Sequence, residues 1–150
     1  MPDAYGVMKL LHIAAAVVWV GGATFLTIYG MRIAATKVSH RVAFANQALF
    51  AGRVFMISAI VVLAAGIWLV VDGPWEWSDA FISIGFLGIA LGAVLGPAFY
   101  APQSKALIAE LESGDEAAAE ARSKRLGMVS TLEVVFLFVV IWAMVYKPGL

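Results

Sequence analysis

Two side chains in this sequence are polar where almost everything around them is apolar. His12 lies in the charge-free run Leu10–Met31, and Glu133 is the single charge in Leu126–Tyr146. An imidazole in such surroundings can give a ring nitrogen to a metal. At helical spacing its face continues through Ala15, Ala16, Trp19 and Gly22, with Met8 one turn earlier. Small residues beside an imidazole leave space for a flat macrocycle, so His12, Ala15, Ala16, Trp19 and Gly22 form a candidate porphyrin face. The same pattern suits plain helix packing, with His12 hydrogen-bonded near the headgroups. Met8, His12 and Met144 together supply thioether and imidazole donors of the kind that take Cu(I), although methionines are also ordinary gap fillers in apolar chains.

Glu133 lies seven residues beyond Leu126, or about 10 Å along a helix. An ionised carboxylate in hydrocarbon is costly unless paired, so Glu133 is expected to face the interior, to be protonated or to meet a cation. Arg53, at the start of the second apolar stretch, is the expected partner because the second and fourth stretches run in the same direction. Such a pair would be structural, or the carboxylate would relay protons or anchor a substrate. In the third stretch Gly85, Gly88, Gly92 and Gly96 bare one helix face, the last three at consecutive GxxxG spacings, for packing within the bundle or between copies. Pro97 is expected to bend or end that helix, exposing carbonyls near Phe99 to Pro102.

The elements that must position these groups follow from where the charges sit. Of 150 residues 63% are hydrophobic and 13% charged, against roughly 25% charged in soluble domains. Leu10–Met31, Val54–Val71, Ala80–Ser104 and Leu126–Tyr146 hold 86 residues and one charge. A helix needs about 20 residues to cross about 30 Å of hydrocarbon, and the runs lack the alternation of barrel strands. The expected fold is an all-α integral membrane four-helix bundle in one domain with antiparallel neighbours. Its spans are about 7–31, 52–71, 79–101 and 126–146, with a polar helical hairpin at about 102–125. Lys9 alone precedes the first span, which reads as a retained helix and not a cleaved leader.

Eight of the ten Lys and Arg residues flank the first and third linkers, and only Lys9 and Lys147 lie at the other end. That bias places both termini outside the cytoplasm, in a bacterial cytoplasmic (inner) membrane. Tyr5, Trp75, Trp77, Trp142 and Tyr146 form an expected aromatic belt on the outer side. Helical recurrence of Val38, Val42, Ala45 and Leu49 extends the second helix past the membrane to a turn near Ser39. In the polar hairpin, Pro102 opens a helix ending at Ser113-Gly114. Asp115 caps the next, and Glu120 pairs with Lys124. The zero formal charge gives no basis for nucleic-acid binding, and the lack of cysteine excludes disulfides, thiolate metal sites and thioether-linked haem. No residue pattern for hydrolytic or phosphoryl chemistry is present, so no catalytic residue is nominated.

The segment from Leu11 and His12 to Trp19, Val20 and Gly21 resembles the first-helix signature of a superfamily of small four-helix bacterial membrane proteins, LH followed after six residues by W-x-G. That superfamily includes copper-resistance protein D, the HemJ-type protoporphyrinogen oxidases and the membrane region of cytochrome-linked urate oxidases. The closing Trp142-Ala143-Met144-Val145-Tyr146-Lys147-Pro148-Gly149 is similar to the end of a related uncharacterised family of this length. The resemblance implies b-type haem or a related porphyrin ligated by His12, serving electron transfer, porphyrin handling or sensing. A binding module is expected in preference to an enzyme, and an enzyme would be a HemJ-like oxidoreductase. The chain lacks a second intramembrane histidine, since His40 falls in a linker, and lacks the Gly-Tyr-His pattern of the HemJ third helix. The options for the sixth position are therefore none, a methionine or a second subunit. The other expectations are a copper or small-solute transport accessory using Met8, His12 and Glu133, and a structural self-associating subunit using the glycine stripe. Expected partners are membrane lipid, a redox protein and a second copy of the chain.

Overall fold

In the computed structural model, which describes residues 3–149, the chain forms four long helices and, among the described residues, no strand. They are α1 (Ala4–Ile33), α2 (Val38–Asp72), α3 (Ala80–Ser113) and α4 (Glu116–Tyr146). Each is long and apolar enough to cross a membrane, consistent with a multi-pass membrane protein. Their outward faces support this: Leu10 is 67% exposed, Ile57 64% and Val145 69%. Apolar surface on that scale, spread over every helix, fits a boundary with lipid better than one with water.

The contacts between helices show that consecutive helices are antiparallel. Along α1 and α2, His12 meets Val62 and Gly66, Gly22 meets Phe55, and Gly30 meets Phe44. Along α3 and α4, Gly85 meets Met144, Gly88 meets Val140, Tyr100 meets Glu133, and Glu110 meets Arg122. In each pair one number rises as the other falls. The two short turns, 34–37 and Gly114-Asp115, therefore lie at one end and the 73–79 loop at the other. The first turn precedes Ser39, which is already inside α2.

Three buried clusters hold the bundle. At the loop end Phe81, Ile82 and Ala143 pack with Trp75 and Met144. In the middle Trp19, Val20, Ala59 and Leu137 pack with Phe55 and Ile89. At the turn end Ala45 of α2 meets Leu107, Leu111 and Ala119, with Val42 and Leu126 beside them. The turn-end hairpin is thus packed onto α2 and not merely solvated. Gly114 at φ 80° ends α3 in the left-handed conformation that glycine adopts without Cβ penalty, and the Asp115 carboxylate accepts from the Ala118 amide at 3.1 Å. Arg122 grips both oxygens of Glu110 and also reaches Gln103, Arg41 reaches Glu116 at 2.8 Å, and Lys124 pairs with Glu120 at 2.7 Å. At the loop end the Trp75 indole donates to the Tyr5 hydroxyl at 3.1 Å, and the Lys147 ammonium lies 3.7 Å from the Trp75 ring centroid.

Two helices are locally widened. Val17–Gly21 in α1 and Gly96–Tyr100 in α3 are π-helical turns. Pro97 cannot donate the backbone hydrogen bond that would reach Ala93, four residues earlier, and the helix leaves the regular pattern around it. Here the Ala101 amide reaches back five residues to the Gly96 carbonyl. Of the two outcomes expected at Pro97, a bend or an end, the helix does not end there but continues to Ser113.

The glycine stripe is used within the chain. A Cβ on Gly88 would lie 3.0 Å from a Val140 methyl, one on Gly85 would strike Met144, and one on Gly92 would strike Trp19; only Gly96 faces open space. Gly88→Leu is therefore expected to destabilise the fold by about 1–3 kcal/mol through overpacking, and Gly96→Leu by less than about 0.5 kcal/mol. Thermal unfolding in detergent measures the difference. Equal effects at the two positions would contradict this packing.

Candidate functional site

The structure separates the groups that the sequence grouped by helical spacing. His12 is half-buried on the α1–α2 seam, with its Nδ1 2.9 Å from the Val62 carbonyl oxygen. A carbonyl can only accept, so Nδ1 carries the proton and Nε2 keeps its lone pair in the neutral ring. Gly66 makes this seam possible, because a Cβ there would lie 3.1 Å from the imidazole Cε1. Ala15 and Ala16 are half-buried beside it. Trp19 does not continue this face: its ring crosses the bundle to Gly92 of α3, while Gly22 meets Phe55 of α2. The π turn at Val17–Gly21 interrupts the 3.6-residue periodicity on which the single face was drawn.

The proposed thioether donors are also divided. The Met144 methyl abuts Gly85 on the α3–α4 seam, whereas His12 is on the α1–α2 seam; Met8 is half-buried one turn before His12. Among the described residues no group of three His, Asp or Glu side chains could hold a metal ion.

Glu133 is buried at 9% exposure, and its partner is not Arg53. The Tyr100 hydroxyl donates to Glu133 Oε2 at 2.5 Å, and among the described residues no ion pair joins Arg53 to any carboxylate. Arg53 does run level with Glu133, since α2 and α4 are parallel. Equal depth does not fix angular position, however, and Arg53 is exposed. Tyr100 reaches the carboxylate because it lies at the end of the second π turn, on the helix antiparallel to α4. The sequence reading missed Tyr100. The available signal was the Gly96-Pro97 pair four residues earlier, which marks an irregular helix whose following residues do not keep their expected face.

Tyr100, Glu133 and Arg53 all line one cavity of about 1780 Å³. It reaches from Trp19, Gly92 and Glu133 at mid-bundle to Ala34, Arg41 and Glu116 at the turn end, and all four helices contribute walls. Both π turns face it, through Trp19 in the first and Gly96, Pro97 and Tyr100 in the second. Ile57, Met128 and Leu132 line the cavity and are also exposed on the outer surface, so the space communicates with the lipid-facing side. Its volume exceeds the roughly 300–1,000 Å³ of ordinary ligand pockets. His12, Met8 and Met144 are not among its lining residues.

Removing the Tyr100 hydroxyl leaves a buried carboxylate without its donor, which costs about 1–3 kcal/mol, whereas an exposed unpaired charge contributes within about 0.5 kcal/mol. Tyr100→Phe should therefore lower the unfolding midpoint clearly and Arg53→Gln hardly at all. In double-mutant cycles with Glu133→Gln, coupling should appear for Tyr100 and be absent for Arg53; the opposite ranking would restore the ion pair. No family model, curated protein or solved structure matches this chain.

Proposed function

We propose that this chain is a multi-pass protein of the bacterial cytoplasmic membrane, with both termini outside the cytoplasm, that binds a lipid-soluble small molecule in the cavity between its helices. The observation that carries this reading is the Tyr100–Glu133 hydrogen bond on the apolar mid-bundle wall of a space of about 1780 Å³, whose turn end is lined by Arg41, Lys105, Glu116 and Lys124. An apolar cavity with a few convergent polar groups is what a ligand site requires: apolar walls for the body of the ligand and a polar pair to fix its head. The side openings at Ile57 and Leu132 give such a molecule a route from the bilayer that avoids water. A binding or transport accessory role accords with apolar walls that hold the body of a ligand and a polar pair that fixes its head. The charge bias of the linkers supports the orientation, and the Tyr5–Trp75 and Trp142–Tyr146 pairs at the opposite end support an outer interface there.

A second reading, b-type haem or a porphyrin on His12, is favoured by one contact. A histidine that ligates a metal usually donates its other ring N–H to a carbonyl or carboxylate, and His12 donates Nδ1–H to Val62. His12 would supply one axial nitrogen through Nε2, and the haem would supply one-electron transfer. Because the large cavity is not lined by His12, the macrocycle would lie outside it, against the bundle surface or a second copy.

Gly52 and Gly127 line the cavity, and a Cβ on either meets nothing within 4 Å. Gly52→Phe and Gly127→Phe should therefore fill the space without lowering thermal stability. Mass spectrometry of organic extracts from detergent-purified protein should find a small molecule beyond bulk phospholipid in the wild type and lose it in both variants. Retention unchanged by filling, or no such molecule in the wild type, would overturn the cavity reading. A Soret band in protein from haem-supplied cells, abolished by His12→Ala, would establish the second reading instead.

A further inference from the structure

A second recess, of about 660 Å³, lies between the end of α1 and the start of α2. Its two ends differ in chemistry. At one end Phe25 and Tyr29 are stacked with ring centroids 5.7 Å apart, and Phe44 meets Tyr29 edge-on at 5.6 Å. Gly30 admits the Phe44 ring, to which a Cβ would come within 3.1 Å. At the other end are Arg32, Thr36, His40 and Gln47. No carboxylate lines the recess, and among the described residues Arg32 is in no ion pair.

The place of Arg32 along the chain matters as much as its charge. It is the first cation after the 22 charge-free residues Leu10–Met31, so it sits where α1 passes from hydrocarbon to the headgroup layer. Phe25, 64% exposed, and Ile28, 54% exposed, continue the apolar surface of α1 up to it. A guanidinium offers a fork of donors that matches phosphate, and an imidazole has at least one N–H in either tautomer. Basic recesses between membrane helices on the cytoplasmic side are suited to acidic headgroups.

We propose that this recess binds an anionic phospholipid, its phosphodiester on Arg32 and His40 and its acyl chains along Phe25 and Tyr29. The missing carboxylate sets the selectivity. A choline headgroup carries a cation that finds no acid in the lining and is repelled by Arg32, whereas a glycerol headgroup carries none and can hydrogen-bond to Thr36 and Gln47. The site is distinct from the larger cavity and does not depend on its ligand, although Leu26, Ile33 and Phe44 form a wall common to both.

The test uses the full chain in nanodiscs of equal phosphatidylglycerol and phosphatidylcholine, released into native mass spectrometry. Wild type should retain phosphatidylglycerol preferentially. Arg32→Gln should reduce that retention about fivefold, the value of one basic contact at a membrane surface. Arg32→Gln with His40→Gln should abolish the preference, and Arg125→Gln, outside the recess, should leave it intact. Equal retention of the two lipids by wild type, or an Arg32→Gln variant as selective as wild type, would overturn the proposal. So would displacement of the lipid by added inorganic phosphate, which would mark a site for the free ion. Should Arg32→Gln fail to fold, His40→Gln alone must lower the preference, and a variant as selective as wild type would again overturn the proposal.

Discussion

Hydrocarbon offers a peptide group nothing to bond with, and the rest of the architecture depends on that constraint. Every N–H and C=O in an apolar stretch must find its partner within the chain, so each stretch becomes one unbroken helix. The constraint is most visible at Pro97, where a donor is missing. In water a helix can stop at proline and let solvent satisfy the freed carbonyls. Here α3 runs on to Ser113, widened over Gly96–Tyr100 with the Ala101 amide bonded to the Gly96 carbonyl. Widening a helix by one residue displaces its axis and rotates everything after it. The irregular turn in α3 therefore presents Tyr100 to Glu133, and the one in α1 presents Trp19 to Gly92. Both lie on the wall of the same cavity.

How much of this was legible in the sequence divides along the same line. The existence of four helices, with polar turns at one end and aromatics at the other, follows from runs of residues that exclude charge. The cap at Asp115 and the left-handed Gly114 were legible because capping is local chemistry. What could not be read was angular position beyond a π turn. His12 and Trp19, seven residues apart, share a face on a regular helix, and across the widened turn His12 bonds to α2 whereas the Trp19 ring, packed with Ala59 of α2, also reaches Gly92 of α3. Glu133 and Arg53 were matched by depth alone. Depth along parallel helices is readable from residue counting, whereas the facing residue depends on how four helices are rotated about their axes. The carboxylate is satisfied by a hydroxyl on the antiparallel neighbour, which counting does not single out.

The glycines show how one residue type produces opposite results in the two halves of the bundle. Toward the loop end Gly85, Gly88 and Gly66 are each occupied by a neighbouring side chain: Met144, Val140 and His12. Toward the turn end Gly52, Gly96 and Gly127 face nothing within 4 Å and line the cavity, although Gly30 on the same wall is closed by the Phe44 ring. Protein interiors pack at a density of about 0.74, and unfilled space forfeits the dispersion contacts that its lining atoms would otherwise make. A hollow of this size at membrane depth is therefore stable only when lipid tails or a ligand occupy it. Clamped and hollow halves meet at Trp19, Val20, Ala59 and Leu137.

That central cluster bears on what the two polar groups can do together. His12 lies seven residues from Trp19 toward the loop end, about 10 Å along α1, while Glu133 and Tyr100 border the cavity on the other side. Direct proton exchange between imidazole and carboxylate needs hydrogen-bond contact or bridging water, and between the two lie the apolar central cluster, the Trp19 indole N–H and the buried hydroxyl of Ser58. The two groups join different pairs of helices. His12 holds α1 on α2 through the Val62 carbonyl and presents a lone pair at Nε2. Glu133 holds α4 on α3 through Tyr100 and presents a polar contact to whatever enters the cavity. A carboxylate anchored by a hydroxyl, unlike one locked to a guanidinium, is not neutralised by a fixed counter-ion. It therefore remains free to answer the hydrogen-bonding or charge state of an incoming molecule, which an Arg53 pair would have prevented.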